Sequence, residues 1–168
     1  MVFLRSAPSY DQGPVLESER LYLRLPQSVD YETWSSLRQI SAEKLRPYEP
    51  EWADNELSKD AFRLRLRFYQ REFRDRTGYP FFIFLRDDHR LIGGITLSNV
   101  RRGVTQSGSI GYWIGVTYQN MGYMTEAVQT LVKYGIKDLG LHRIDAASLP
   151  DNAASITVLE VCGFKKEG

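Results

Sequence analysis

The chemistry of this chain gathers where an apolar run meets an amphipathic one. Gln119, Asn120, Met121, Gly122, Tyr123 and Met124 lie between an apolar, aromatic and β-branched stretch over 110–116 and a helical stripe that begins at Met124. A strand that delivers the chain to a short glycine-bearing loop at the mouth of a helix is a place for an anion. The first N–H groups of a helix have no intrahelical partner, the macrodipole puts partial positive charge there, and a glycine lets phosphate oxygens come close. Other chemistries are poorly supplied. His89 and His142 stand apart with no carboxylate cluster at ligand spacing, so no metal site is expected. Cys162 is the one cysteine, in an apolar run before Gly163, and reads as core.

Positioning such a loop takes a strand before it and a helix behind it. The stretch from Ile110 through Gly111, Tyr112, Trp113, Ile114 and Gly115 to Val116 reads as a buried strand that something approaches closely. Met124, Ala127, Val128, Leu131, Val132, Gly135 and Leu139 then fall at the spacing of one helical face, so a helix is expected over 124–139 with Gly140 as its stop. Met124 lies on that face and is expected to turn into it.

Upstream, Leu21, Leu23 and Leu25 alternate with Tyr22 and Arg24 as a half-buried strand, and Ser28 or Asp30 can cap a helix over 30–40. Residues 45–52, with two prolines and two aromatics, read as an ordered loop of the kind that lines a site. Residues 58–76 alternate as an edge strand would, yet Phe62, Leu66, Tyr69 and Phe73 make a helical stripe behind a Ser58 cap, and a helix is the expectation. Six arginines from Arg63 to Arg76 read either as a solvated face or as a docking surface for an acidic or RNA-containing partner. Strands over 79–85 and 91–98 form a hairpin whose turn, 86–90, exposes His89, and Arg101 and Arg102 make a second basic loop. A strand over 142–149 follows, and Asp151 or Asn152 caps a helix to Cys162 that ends at Gly163.

This order predicts an α+β (or α/β) domain around one mixed sheet, with an antiparallel meander of three strands and then a parallel pair joined by a helical crossover. At 168 residues the chain is expected to be a single domain, 1–168, with an irregular lead-in over 1–14. A net charge of +1 gives no global attraction to nucleic acid or anionic membrane, so a polyanion would need a local patch. No apolar run approaches the roughly 18 residues that span a bilayer, and 2–4 is too short for a signal-peptide core, so no membrane partner and a cytoplasmic location are expected.

With the elements in place, the chain resembles the GNAT superfamily of acyl-coenzyme A N-acetyltransferases, and within it the ribosomal-protein N-terminal-alanine acetyltransferases. The superfamily's phosphate loop is Gln or Arg, two residues, Gly, one residue, then Gly or Ala; here it stands as Gln119 to Met124, with Met124 replacing the small residue. Glu17 to Arg24 looks like the subfamily's opening, Leu45 to Pro50 like its proline loop, and Gly111 to Ile114 like its Gly-Tyr-Trp-Ile strand. Asn152 to Ser155 looks like its Asn-x-x-Ser helix, and Gly163 with Phe164 like its Gly-Phe strand start. The resemblance covers Leu16 to Gly168. Family members continue with further strands where this chain stops, so a GNAT-like sheet truncated before its C-terminal strands is expected.

The resemblance implies a function: transfer of acetyl from acetyl-coenzyme A, with no metal, to the N-terminal α-amine of a protein, a ribosomal protein's alanine being the first guess. Backbone N–H groups from Gln119 to Met124 would cradle the pyrophosphate. Pantetheine would pair with the 110–116 strand, and a backbone N–H near Ile114, Gly115 or Val116 would polarise the thioester carbonyl. Leu159 stands where many members carry a tyrosine, so Ser155 would protonate the leaving thiolate and Asn152 would hold the pantetheine amide; both are also plausible helix caps. Candidates for the base are Glu49 and Glu51 in the proline loop and Glu167 near the end. A small-molecule amine as acceptor, or a non-catalytic coenzyme A-binding regulatory domain, remain the alternatives, and a homodimer is left open.

Overall fold

The structure, a computed structural model, describes residues 13–167. Apolar residues, alternating in β2 and continuous in β3, build a sheet of six strands among the described residues, in the order β1 (Leu16–Glu17), β2 (Leu21–Arg24), β3 (Tyr79–Leu85), β4 (Leu91–Arg101), β5 (Ser107–Ile114) and β6 (Arg143–Ala146). Every neighbouring pair is antiparallel except β5 and β6, which run parallel and are joined by a helical crossover. The sheet separates two apolar layers. Phe81 and Ile83 of β3 face α3 (Tyr123–Lys133) and α4 (Ala153–Val161), whereas Phe82 and Phe84 face α1 (Tyr31–Leu45) and α2 (Lys59–Arg74). This is the α+β class expected, with its mixed, mostly antiparallel sheet flanked by helices.

Several boundaries move for identifiable reasons. The helix expected over 30–40 continues to Leu45, because Ala42, Glu43 and Lys44 are good helix formers and Leu45 buries itself; Pro47 then forces a 3₁₀ turn, Arg46–Tyr48, inside the expected loop. Neither Ser28 nor Asp30 caps α1 itself: a 3₁₀ turn, Ser28–Asp30, leads into the helix, and the Asp30 carboxylate accepts from Gln27 N at 2.8 Å and from Arg24 in a bidentate pair at 2.7 and 2.8 Å. The cap at Ser58 does form, its Oγ accepting from Ala61 N at 3.1 Å, and 59–74 is helix rather than strand.

The strand expected over 110–116 starts at Ser107 and ends at Ile114, and Val116–Tyr118 is a 3₁₀ turn. The helix expected over 124–139 is α-helical only to Lys133, after which Tyr134–Asp138 widens into a π turn before Gly140 reverses at φ 71°. The strand expected over 142–149 keeps only Arg143–Ala146, the stretch that finds β5 to pair with. The expected lead-in falls on 1–14, of which 1–12 lies outside the described residues.

Candidate active site

The loop expected to hold an anion leads into a helix mouth that no side chain caps. Gly122 is the residue before α3 and has φ 80°, a left-handed backbone that a side chain resists. The first intrahelical bond in α3 is Glu126 N to Gly122 O at 3.1 Å, so the N–H groups of Tyr123, Met124 and Thr125 come before it and point out of the helix mouth. Met124 is buried with Ala127, Val128 and Leu131 on the apolar face, which keeps its side chain out of the cradle.

Two residues that the sequence reading left without a role fix this loop. Arg20 donates from Nε to Glu126 Oε1 at 2.8 Å and from Nη1 to Met121 O at 3.0 Å, and its guanidinium lies 4.4 Å from the centre of the Tyr123 ring. Glu126 Oε2 also accepts from Arg20 N and from the Ser18 hydroxyl. Burial would push the Glu126 carboxyl up, but the hydrogen bonds from Ser18 and Arg20 and the Arg20 charge hold it below the ordinary carboxylate value. The only local signal was an acid on the first turn of a helix, where the dipole favours one.

The edge of β5 opens beside the cradle. Pairing with β6 stops at Ile110 opposite Ala146, so 111–114 has no strand on that side among the described residues. Gly115 N donates to Ile92 O at 2.8 Å, which makes that pair hydrogen-bonded toward β4. By antiparallel alternation Ile114 and Tyr112 therefore turn their N–H and C=O groups the other way, into the opening. The amides of Gly115 and Val116 are committed to the fold, the second donating to Ser41 Oγ at 2.9 Å, so of the three expected donors only Ile114 N–H faces the gap.

Across that gap stands α4. Asn152 caps it, its Oδ1 accepting from Ser155 N at 3.2 Å. The Ser155 hydroxyl meets the Tyr112 phenol at 2.6 Å. Burial raises the Tyr112 pKa above its ordinary value, only partly offset by the Ser155 hydrogen bond, so this phenol stays protonated. Cys162, half-buried, gives its thiol to Thr125 O at 3.6 Å and joins α4 to α3; burial raises its pKa too.

On the other side of β5, under α1 and α2, lies a cavity of about 220 Å³ that reaches Gly111 and is walled by Trp34, Tyr69, Trp113, Arg38, Arg65 and Glu49. Gly94 is required beneath it, since a Cβ there would stand 2.4 Å from the Trp113 indole nitrogen. Glu49 is forked onto Arg38 at 2.6 and 2.8 Å and accepts from Trp52 Nε1 at 2.9 Å. The Arg38 guanidinium is buried and lies 4.8 Å from the ring centres of both Trp52 and Trp113. Glu51 is exposed and lines no part of the cavity, and Glu167 is exposed on the far side of β6, paired with Arg143 at 2.6 Å. The structure therefore brings Ile114, Ser155, Asn152 and the Gln119–Met124 loop to one side of β5 and Glu49 to the other. Among the described residues no group of His, Cys, Asp or Glu could hold a metal ion, and no helix is long and apolar enough to cross a membrane.

The helix mouth of α3, with its free N–H groups, thus stands beside a sheet that parts at its parallel pair. The chain belongs to the GNAT acetyltransferase domain family, whose model matches residues 20–165. It is similar to the probable N-acetyltransferase YjcK of Bacillus subtilis, at 34% identity over 92% of this chain and 85% of that one. It is also similar to the ribosomal protein uS5-alanine N-acetyltransferase of Escherichia coli, at 31% identity over 91% of this chain and 79% of the relative. The structure of Mycobacterium smegmatis RimJ in complex with CoA-disulfide superposes with a TM-score of 0.84, at 29% identity over 93% of this chain and 76% of that one. The protein is thus an N-acetyltransferase.

Proposed function

We propose that this enzyme transfers the acetyl group of acetyl-coenzyme A to the α-amino group of a protein N-terminus, with a ribosomal protein's alanine as the first acceptor to try. The observation that carries this reading is the placement of two sites on the two sides of one strand segment. The cradle and the Ser155 hydroxyl flank residues 111–114 from the α3 and α4 side, and the cavity meets Gly111 from the α1 and α2 side.

The cradle fits a pyrophosphate: its helix-mouth N–H groups come before the first intrahelical bond, and a Cβ at Gly122 would stand 3.3 Å from Arg20 Nη2. Bound there, acetyl-coenzyme A would supply the acyl group as a thioester. Gln119, Asn120, Met121, Gly122, Tyr123 and Met124 would hold its phosphates, and Ile114 N–H, facing the opening, would donate to the carbonyl oxygen. Such a donor is worth about 3 kcal/mol of transition-state stabilisation. The Ser155 hydroxyl donates to the leaving sulfur, Tyr112 fixes that hydroxyl's position, and Asn152 keeps its amide NH₂ for the pantetheine chain.

The acceptor side favours an α-amine. Glu49 is the carboxylate in the cavity wall, and Arg38 is forked onto both its oxygens. An α-amino group with pKa near 7.8 is about one-seventh neutral at pH 7, against about one in 2,500 for a lysine near 10.4, so the α-amine asks far less of a base. Two guanidiniums in the cavity wall, Arg38 and Arg65, also disfavour a polycationic small amine. Incubation with acetyl-coenzyme A and peptides of varied N-terminal residue, with spermidine and an aminoglycoside alongside, should release free thiol with α-amine peptides. Turnover with no α-amine overturns the reading.

A further inference from the structure

Helix α2 carries a feature that acetyl transfer does not use. Phe62 and Leu66 bury themselves on one side, and the opposite side exposes Arg63, Leu64, Arg67, Phe68, Arg71 and Arg74. Residues 59–76 hold seven Lys and Arg against three Asp and Glu, although the whole chain has a net charge of only +1. Arg63 lies 3.6 Å from Asp60, but Arg67, Arg71 and Arg74 enter no ion pair or side-chain hydrogen bond among the described residues. A stripe of guanidiniums left unneutralised on a nearly neutral protein is a local field with no internal function.

The geometry narrows what would neutralise it. At a rise of about 1.5 Å per residue, Arg63, Arg67 and Arg71 succeed one another at steps of about 6 Å, and the stripe to Arg74 is about 16 Å long. The basic surface does not end there. Val100 N donates to Thr77 O at 3.0 Å, which brings the β4–β5 turn, with the exposed Arg101, to the end of α2 that carries the exposed Arg76. Between Asp60 and Asp75 the helix carries one carboxylate, Glu72, which is half-buried and accepts from the Thr77 hydroxyl. A partner must therefore be anionic at close and regular intervals along its length, which a sugar–phosphate backbone is for every sequence and a protein segment is only if nearly every residue is acidic. Phe68 stands half-exposed, at 52%, between Arg67 and Arg71 in that row. A flat ring among guanidinium planes is a platform for an unstacked base.

We infer that the outer face of α2, continued by the β4–β5 turn, is a binding surface for single-stranded or looped RNA, in which Arg67, Arg71 and Arg74 contact phosphates and Phe68 stacks on a base. This surface is separate from the acetyl-transfer site, and either assignment can fail without the other.

The test is fluorescence anisotropy of the full chain with a labelled single-stranded RNA of about a dozen nucleotides, titrated from about 50 to about 200 mM salt. Three to four phosphate contacts on a single strand give a slope of log K against log salt between about −2 and −3. The triple variant R67Q/R71Q/R74Q should lose at least about tenfold in affinity and flatten the slope by about 2. Phe68→Ala should weaken binding about five- to a hundredfold without changing the slope, as loss of stacking does. Both variants should keep the wild-type melting temperature and rate of acetyl transfer, which separates a surface effect from misfolding. Absence of salt-dependent RNA binding, or a triple variant with wild-type affinity and slope, overturns the inference. So does equal or tighter binding of a poly-glutamate peptide, which would make the partner an acidic protein.

Discussion

The Tyr112 phenol and the Ser155 hydroxyl stand 2.6 Å apart, joining the open edge of β5 to the first turn of α4. The contact spans the gap in which the sheet has parted, so it fixes the position of the serine oxygen. Ser155→Ala should lower kcat by about a hundredfold, the usual scale for losing a positioned proton donor. Tyr112→Phe keeps the serine but frees its rotor, and should cost about five- to tenfold, one hydrogen bond's worth. Thiol-release kinetics beside calorimetric titration with coenzyme A decide it: coenzyme A affinity should hold in both variants, and an unchanged rate in Ser155→Ala would remove that residue from the mechanism.

The Arg20–Glu126 pair ties the loop before α3 to the turn between β1 and β2. Because Arg20 also donates to Met121 O, releasing it frees the loop backbone itself. Glu126→Gln and Arg20→Ala should each raise the dissociation constant for coenzyme A about tenfold with little change in kcat. The double variant should cost far less than the product, since each single change already dismantles the shared contact. The pair has an acid limit as well. The Glu126 carboxyl is held below its ordinary value, so its contribution is complete above the unfolded carboxylate pKa and is lost as pH falls through the lowered one. Wild-type stability should thus fall in strong acid more than that of Glu126→Gln.

How much of this could be read from the chain alone depends on which distances matter. The α2 stripe of Phe62 and Leu66, the alternation of β2 and the apolar face that takes in Met124 are periods within one element, so they were legible. So was the loop at the mouth of α3, because a strand, a glycine and a helix start are contiguous features. Arg20 and Glu126 lie 106 positions apart, and Tyr112 and Ser155 lie 43 apart; they meet only because of strand order and the crossover, which periodicity does not encode. The Asp30 cap misled for a related reason. Asp30 is a good local cap, but its carboxylate turns back to the Gln27 N–H and to the Arg24 guanidinium six positions upstream, a charged fork that helix-start spacing does not show.

Glu49 and Glu51 are near neighbours in sequence but not in situation. Glu51 is exposed outside the cavity, so Glu51→Gln should leave initial rates with an α-amine peptide within about twofold and the melting temperature unchanged. Glu49→Gln removes the partner of a buried guanidinium. It should lower both stability, by about 3 kcal/mol, and the acetylation rate. Rates measured well below the variant's melting temperature, across pH, isolate the second effect. If Glu49 takes up the amine proton, the loss should shrink as pH rises and more acceptor is already neutral.

Tyr134 sets an alkaline boundary. It lies in the π turn after α3, edge-on to Tyr79 at 6.0 Å and to Phe81 at 6.1 Å, and burial, reinforced by Tyr79 and Asp138, pushes its pKa to about 12. The folded state thus prefers the neutral phenol. Below pH 10 both folded and unfolded chains keep that proton, and stability does not depend on this group. As pH rises from the ordinary value of 10 toward about 12, the unfolded chain ionises while the folded one does not, so stability falls through that window. Tyr134→Phe keeps the ring packing and removes the titration, so its denaturant midpoint should decline less steeply than wild type over the same interval. Parallel slopes in the two proteins would mean that Tyr134 ionises as freely in the folded chain as in the unfolded one.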